Sequence, residues 1–296
     1  MRLARQEQRD GDQEPRKEAA THEVRQGTSA DVPFLGPVSA TELELGVFES
    51  VRVIGSGRVG SAVSARLSER GVAAGEPAGL VLLCVPDQAI AEVAAEVEPG
   101  PWVAHVSGAT PLTALEPHRR RFGVHPLQTF TRARGPEQLD GAWAAVTSES
   151  EEARRAGFWL AETLGLRPFE LADEVRPLYH AGAAIASNYL VTLHQVAAEL
   201  FRAAGAPSEA LVPLMRRTID NGFELTGPIE RGDWSTVEAH RQAIRAARPE
   251  LEPLYDMLAR ATAQLCAHVE EEGGNREVSP EGLLARRGDH SEATAR

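Results

Sequence analysis

The sequence predicts an α/β protein: a Rossmann-type parallel sheet with a shortened first half, followed by an all-α C-terminal domain. Three observations carry this. Short β-branched runs alternate with helical stretches through the first half of the chain, the signature of strands joined by crossover helices. A glycine loop, Gly55-Ser56-Gly57-Arg58-Val59-Gly60, follows the first run directly and opens a helix. Beyond about Leu178 the apolar spacing becomes helical throughout.

The strand-like runs are Val51 to Gly55, Leu80 to Val85, Trp102 to Val106, Phe122 to His125 and Trp143 to Val146. Helices are expected over Leu178 to Ala204, Ser208 to about Phe223, Ser235 to Ala247, and Pro249 to about Val269. Gly205 stands where a left-handed C-terminal cap is expected, and Ser235 with Glu238 reads as a capping box. The expected organisation is a polar, disordered arm over 1–45, a dinucleotide-binding domain over 46–172, an all-α substrate and dimerisation domain over 173–269, and a disordered tail over 270–296. Both ends have too few large apolar groups to offset the entropy of ordering them.

Composition narrows the function. Of 296 residues, 31 are basic and 43 acidic, a net charge of -12 that argues against a nucleic-acid partner. No apolar run approaches membrane-spanning length and Met1 to Gly27 is charged throughout, so a cytoplasmic protein with a small-molecule partner and no membrane contact is expected. Cys84 and Cys266 lack metal-site or redox spacing, and no metal site is expected. The single lysine, Lys17, lies in the polar arm. That excludes Schiff-base chemistry, a phosphate-loop NTPase and a lysine acid or base in the folded body.

The glycine loop has the context that dinucleotide binding requires. Gly55 permits the tight turn, Gly57 lets a pyrophosphate approach the backbone, and Gly60 lets the helix pack on the strand, with its first amides facing the phosphates. Arg58 is either a further phosphate contact or a solvated loop residue. Only 18 residues separate Gly60 from Gly79, too few for a complete second strand, helix and third strand. Val72 to Gly75 is then a vestigial second strand. Glu76, 21 residues after Gly55, falls where a ribose-binding acid is expected, or is an exposed turn residue.

In open parallel sheets ligands lie beyond the carboxyl ends of the strands. Val85, Pro86 and Asp87 follow the second run, Ser107 and Gly108 the third, and His125 closes the fourth. Asp87 reads first as a cap for the helix containing Ile90 and Val93. His125 contacts the nicotinamide or substrate, or makes a structural hydrogen bond. On the first C-terminal helix, His180, Ala184, Ser187 and Asn188 share one small, polar face at 3.6 residues per turn. That face meets either a ligand or another helix. Downstream, Arg231 could hold an anionic substrate or form a surface ion pair, and His240 follows it on the next helix.

Taken together, GSGRVG, LVLLCVPD, HVSGA, GVHPLQTF, YHAGAAIASNY and TGPIERGDWSTVEAH resemble the bacterial Rossmann-like proteins that carry the helical domain of unknown function 2520. The resemblance spans about Val51 to Leu265. It extends to ketopantoate reductase, pyrroline-carboxylate reductase and the deazaflavin-dependent NADP oxidoreductases, and it implies NADP in preference to NAD, hydride transfer to a C=O or C=N bond, a ketopantoate-like keto acid as the first substrate to consider, and a homodimer formed through the helical domain. Where wider relatives have a catalytic lysine four residues before an asparagine, this chain has Ala184 before Asn188. With lysine gone, histidine is the best-suited remaining acid near neutral pH. His180 leads and His125 follows, with Ser187 and Asn188 orienting the substrate. The alternative is a non-catalytic dinucleotide-binding or regulatory protein with a degenerate Rossmann domain.

Overall fold

The computed structural model describes residues 48–273, with side chains to 267. The expected arm over 1–45 lies outside the described residues, as does the expected tail over 270–296 except for 270–273, which continue the last helix instead of being disordered.

Seven strands form one sheet in the order β2-β1-β3-β4-β5-β6-β7. Strands β1 (Ser50–Ile54), β3 (Leu80–Leu83), β4 (Trp102–His105) and β5 (Arg121–Leu127) are parallel neighbours. The vestigial strand exists as β2, only Ala73–Ala74, paired parallel to β1 at the sheet edge. The shortened first half therefore retains its topology but almost none of its surface.

Every residue of β3 is buried because the sheet is covered on both sides. Leu80 and Leu82 enter the core shared with Val63 and Leu67 of α1 (Arg58–Glu69) and Leu160 and Leu164 from the region of α3 (Glu151–Thr163). Val81 and Leu83 point to the opposite core, with Ile90 and Ala94 of α2 (Ile90–Ala95), Leu112 and Leu115. The period-two alternation of a strand thus serves two apolar layers.

Two features of the sheet differ from expectation. Strand β6 (Trp143–Ser148) runs antiparallel to β5, not parallel. No α-helix lies between them to make a crossover, and a chain that returns through a loop must pair antiparallel. A further strand, β7 (Arg167–Glu170), pairs parallel to β6 after the crossover helix α3. It lies on the sheet edge, the place where its Pro168 can be tolerated.

The chain then turns helical: α4 (Arg176–Ala184), a π-helical turn at Ile185–Tyr189, α5 (Leu190–Ala203), α6 (Leu211–Asp220), α7 (Trp234–Ala247) and α8 (Glu252–Gly273). Helix α5 ends as expected. Gly205 has φ +72°, its N–H donates to the Arg202 carbonyl, and the Ala206 N–H donates to the Phe201 carbonyl, a complete left-handed cap. The capping box at Ser235 does not form. Asp233 is the N-cap of α7 and accepts from the Thr236 N–H at 3.1 Å, while Ser235 lies inside the first turn and donates to Asp233. A carboxylate at the helix start also meets the positive end of the helix dipole, which a hydroxyl cannot match.

The helical half hides little of its own apolar surface. Among described residues beyond Arg176, only Ala198, Leu211, Val237 and Ile244 are buried hydrophobics. All the exposed large apolar residues except Leu127 and Trp143 lie at or beyond Val175, including Ile185, Val191, Leu214 and Phe223.

Candidate functional site

The glycine loop sits between the ends of β1 and β3, where the order of strands reverses. Its three glycines do different work. Gly55 has φ +113°, and a Cβ there would stand 2.3 Å from the Cys84 carbonyl oxygen and 3.4 Å from Val85 Cγ1. A Cβ on Gly60 would stand 2.0 Å from the Gly55 carbonyl oxygen. These two let β1, β3 and α1 close on one another. Gly57 faces open space, with nothing within 4 Å of a built Cβ. Gly57 is the N-cap of α1 and supplies no side-chain cap, and the first turn holds no acid. The first-turn amides are thus left for an outside anion, and the helix dipole favours one. Ser56 contributes its carbonyl to the Ser61 hydroxyl at 3.1 Å, while Val59 packs against the core.

Arg58 is exposed and reaches the Phe130 carbonyl at 3.5 Å. Beside it, a cleft of about 220 Å³ is lined by Gly57, Arg58, Thr131, Arg132, Arg134 and Pro136. The turn that carries Arg132 and Arg134 is held from behind by the buried Gln138. Its Oε1 accepts from the Thr131 N–H at 2.7 Å, and its Nε2 donates to the carbonyls of Arg134 and Gly135 at 2.9 and 3.0 Å. Arg66, also buried, ties α1 to this segment through Asp140 at 2.6 Å and the Pro136 carbonyl at 3.0 Å.

Further along the strand ends, Asp87 is exposed and makes no capping bond to the short turn it starts, so the capping role expected for it is absent. Ser107 organises the turn after β4: its hydroxyl oxygen accepts from the N–H groups of Ala109 and Thr110 at 3.2 and 3.0 Å and the hydroxyl donates to Thr110 Oγ1 at 2.9 Å. Gly108 is pressed between two histidines. A Cβ there would stand 2.5 Å from His180 Cδ2 and 2.9 Å from His125 Nε2. Residues 55 apart in sequence thus meet at one point of the crevice, with ring centroids 5.8 Å apart.

Three residues not singled out from the sequence complete this group. The Tyr179 hydroxyl lies 2.8 Å from His125 Nδ1. Arg176 is fully buried, with Nη1 donating to Thr147 Oγ1 at 2.7 Å and Nη2 donating to the Ser107 carbonyl. Its nearest carboxylate, Asp173, stands 3.8 Å from Nε and accepts from the Leu112 N–H. His105, at the end of β4, is fully buried, and neither its ring nitrogens nor Arg176 Nε has a hydrogen-bond partner among the described residues. Burial dominates the local acidities. It pushes His125 down to about 4, helped by the charges of His180 and Arg176, and His105 down to about 3, helped by Arg176. Burial raises the Tyr179 phenol to about 12.

The remaining expected site residues are placed elsewhere or otherwise engaged. Glu76, at the end of β2, is exposed and pairs with Arg52 at 2.8 Å. Ser187 and Asn188 lie on the π-helical turn, where i to i+5 bonding lengthens the period, so the four-residue face computed for a uniform α-helix does not extend through them. Ser187 is half-buried and donates to the Ala183 carbonyl at 2.7 Å, and Asn188 is exposed. Arg231 donates to the Thr226 carbonyl of its own loop, and His240 Nδ1 lies 3.0 Å from the Tyr255 hydroxyl. Among the described residues neither hydrogen-bonds to the His125 group. Cys84 is half-buried under the glycine loop, its thiol pushed up to about 12 by burial, which leaves it inert as a nucleophile. Among the described residues no cluster of His, Cys, Asp and Glu could hold a metal ion, and no helix is long and apolar enough to cross a membrane.

Residues 142–262 match the family described as domain of unknown function (DUF2520). The match takes in the sheet-edge strands β6 and β7 and most of the helical half of a Rossmann-type α/β fold. Solved structures agree on the fold. A Bacteroides fragilis protein, BF3122, provisionally named an NADP oxidoreductase, is 22% identical with a TM-score of 0.61, covering 73% of this chain and 98% of its own. Protein TM1727 of Thermotoga maritima is 23% identical with a TM-score of 0.61, covering 75% and 99%. An NADH-preferring ketol-acid reductoisomerase from an uncultured archean is 15% identical with a TM-score of 0.51, covering 81% and 95%. No curated protein matches the sequence.

Proposed function

We propose that this protein is a nicotinamide-dinucleotide-dependent oxidoreductase that passes a hydride to a C=O or C=N bond of a small, anionic substrate. The observation that carries the reading is that two features lie beyond the carboxyl ends of the parallel strands that flank β3. Uncapped helix amides beside an unobstructed Gly57 follow β1, and Gly108 between two imidazoles follows β4. A diphosphate would lie at the first point and the nicotinamide at the second, with Val85, Pro86 and Ser107 between them. The names of the structural relatives include both an NADP and an NADH enzyme, and NADP is the first choice by resemblance to the wider group.

A carbonyl or imine that accepts hydride develops negative charge and requires a proton. His180 is the first candidate donor, with His125 beside it. Ser187 and Asn188 would orient the substrate. Arg231 would bind its carboxylate, on exchanging its bond to Thr226. The bare apolar faces of α5 and α6 support a homodimer through the helical half, because Val191 and Leu214 gain about 25 cal/mol per Å² when covered.

Fluorescence titration with NADPH and NADH, followed by turnover with a panel of 2-keto acids and cyclic imines headed by ketopantoate, tests the reading. Saturable binding and cofactor oxidation are expected, and His180→Ala should reduce turnover at least roughly tenfold with cofactor affinity retained. The two-residue β2 and the lysine-free body favour a second reading, a dinucleotide sensor. Binding without oxidation across the panel supports that reading, and no binding at millimolar cofactor defeats both.

A further inference from the structure

The two histidines at Gly108 stand in different surroundings, and the difference divides their work. We propose that Tyr179 is a positioning residue that fixes His125 as the neutral tautomer bearing its proton on Nε2, so that His125 presents a fixed N–H donor to the substrate beside Gly108 and does not act as the acid. This rests on the oxidoreductase reading for its role, but the tautomer itself does not depend on a cofactor.

Hydrogen-bond accounting at the Tyr179–His125 pair selects the tautomer. A neutral imidazole has one donor and one acceptor nitrogen, and a phenol has one proton to donate. The contact between the Tyr179 oxygen and His125 Nδ1, at 2.8 Å, is the hydroxyl's hydrogen bond among the described residues. If Tyr179 donates, Nδ1 is the acceptor and the imidazole proton must sit on Nε2. Nε2 is the nitrogen at the crevice, beside Gly108. The reverse arrangement would spend the imidazole proton on the phenol, leave the phenolic proton without an acceptor among the described residues, and turn a bare lone pair toward a substrate that is gaining negative charge. The edge-on packing of the rings, centroids 5.6 Å apart at 86°, keeps the nitrogen in line with the hydroxyl.

The neighbours on every side resist a second proton. His180 and Tyr179 face His125 from α4, the buried Arg176 guanidinium lies at the same helix start, and His105 approaches from β4. None of these supplies a carboxylate to His125, and Asp173 is engaged with Leu112 and Arg176. A second proton on His125 would place a cation near the Arg176 guanidinium in a half-buried pocket, which is the more costly arrangement. A neutral N–H donor aimed at a developing oxyanion or amide anion stabilises it without having to give up its proton. Release of the proton is left to His180.

The test is heteronuclear NMR on the full-length protein without cofactor, using two-bond nitrogen-to-carbon-proton correlations of the imidazoles, with His125 assigned by the peaks lost in His125→Gln. At neutral pH, His125 should show an unprotonated Nδ1 and a protonated Nε2, and the pattern should persist to pH 5. In Tyr179→Phe, which keeps the ring but removes the hydroxyl, the Nδ1 signal should move toward a tautomer mixture. A protonated Nδ1, a doubly protonated ring at pH 7, or a Tyr179→Phe spectrum identical to the wild type would overturn the proposal. Each outcome is read whether or not the protein binds dinucleotide. With a substrate in hand, Tyr179→Phe should raise KM or lower kcat while leaving the kcat pH profile in place.

Discussion

Replacing the three loop glycines by alanine one at a time separates what builds the crevice from what fills it. At Gly60 the new methyl would stand 2.0 Å from the Gly55 carbonyl oxygen and 3.1 Å from Cys84 Cβ. The first of these contacts is with backbone, so relief requires α1 to move off β1. Such overpacking costs about 1–3 kcal/mol, and in a domain of this size about 2–4 °C of melting temperature accompanies each kcal/mol. Gly60→Ala should therefore melt roughly 2–12 °C lower. Gly55→Ala should be at least as damaging, because it combines a 2.3 Å approach to the Cys84 carbonyl oxygen with φ +113°. Gly57 is the contrast. Its backbone, φ -70° and ψ -169°, suits alanine, and no atom lies within 4 Å of the added carbon. Restricting the unfolded chain gains about 0.4–1 kcal/mol, while alanine is a poorer N-cap than glycine by a similar amount, so the net change is within about 1 kcal/mol. If a diphosphate lies against Gly57, the same methyl should weaken NADPH binding at least tenfold, about 1.4 kcal/mol. Thermal melts together with fluorescence titration read both quantities. Undiminished binding by a stably folded Gly57→Ala protein would refute the placement of the phosphates. A loss of stability equal to that of Gly60→Ala would refute the open space around residue 57.

Three further outcomes are expected. Because burial holds His125 near 4 and His105 near 3 against an ordinary 6.5, the unfolded chain takes up protons below pH 6.5 that the folded state refuses. Stability present above pH 6.5 should fall as pH drops toward 4, and His125→Gln should fall less steeply in melts from pH 7.5 to 4.5; parallel curves would sink the assignment. Arg176→Met keeps most of the buried volume but leaves Thr147 and the Ser107 carbonyl without their donor. It should cost about 1–3 kcal/mol in chemical denaturation while the His125 pKa rises, and a gain in stability would mean that the buried charge outweighs its bonds. Val191→Glu with Leu214→Glu should convert a wild-type dimer to monomer in sedimentation equilibrium, and a monomeric wild type would dismiss that interface.

Much of the sheet was legible because its strands are nearly continuous apolar runs, and the glycine loop because its turn chemistry is local. The direction of β6 was not, since side-chain alternation is the same for either direction; the polar, glycine-containing stretch between Leu127 and Trp143, with no helical period, was the available sign. Strand β7 was hidden by its own composition, Arg-Pro-Phe-Glu, in which proline and two charges mask a strand that exists through its neighbour β6. At the site, His125 and His180 were visible as polar residues at a strand end and on a helix, but their meeting at Gly108 is a tertiary fact. In the sequence Tyr179 is only an aromatic beside His180, with nothing local to mark its hydroxyl as a partner of a residue 54 positions away. Arg176 carried a readable signal: a cation at the start of a helix opposes the dipole, and such a residue needs some other reason to be there. The π-turn at Ile185–Tyr189 has no local sequence mark, so the arithmetic of a uniform helix placed Ser187 and Asn188 on a face that the backbone does not keep.

Gln138 has a consequence for how this crevice could change. The contour of the 131–135 turn is set by an amide lying behind it, whereas Arg132 and Arg134, which line the cleft beside the glycine loop, make no side-chain bond to that amide, and Arg134 meets the exposed Glu137 at 3.7 Å. Shape and charge are therefore written in separate places. Substitutions at 132 and 134 can reset the electrical character of the loop mouth, toward more or less highly phosphorylated ligands, without rebuilding the turn that presents them.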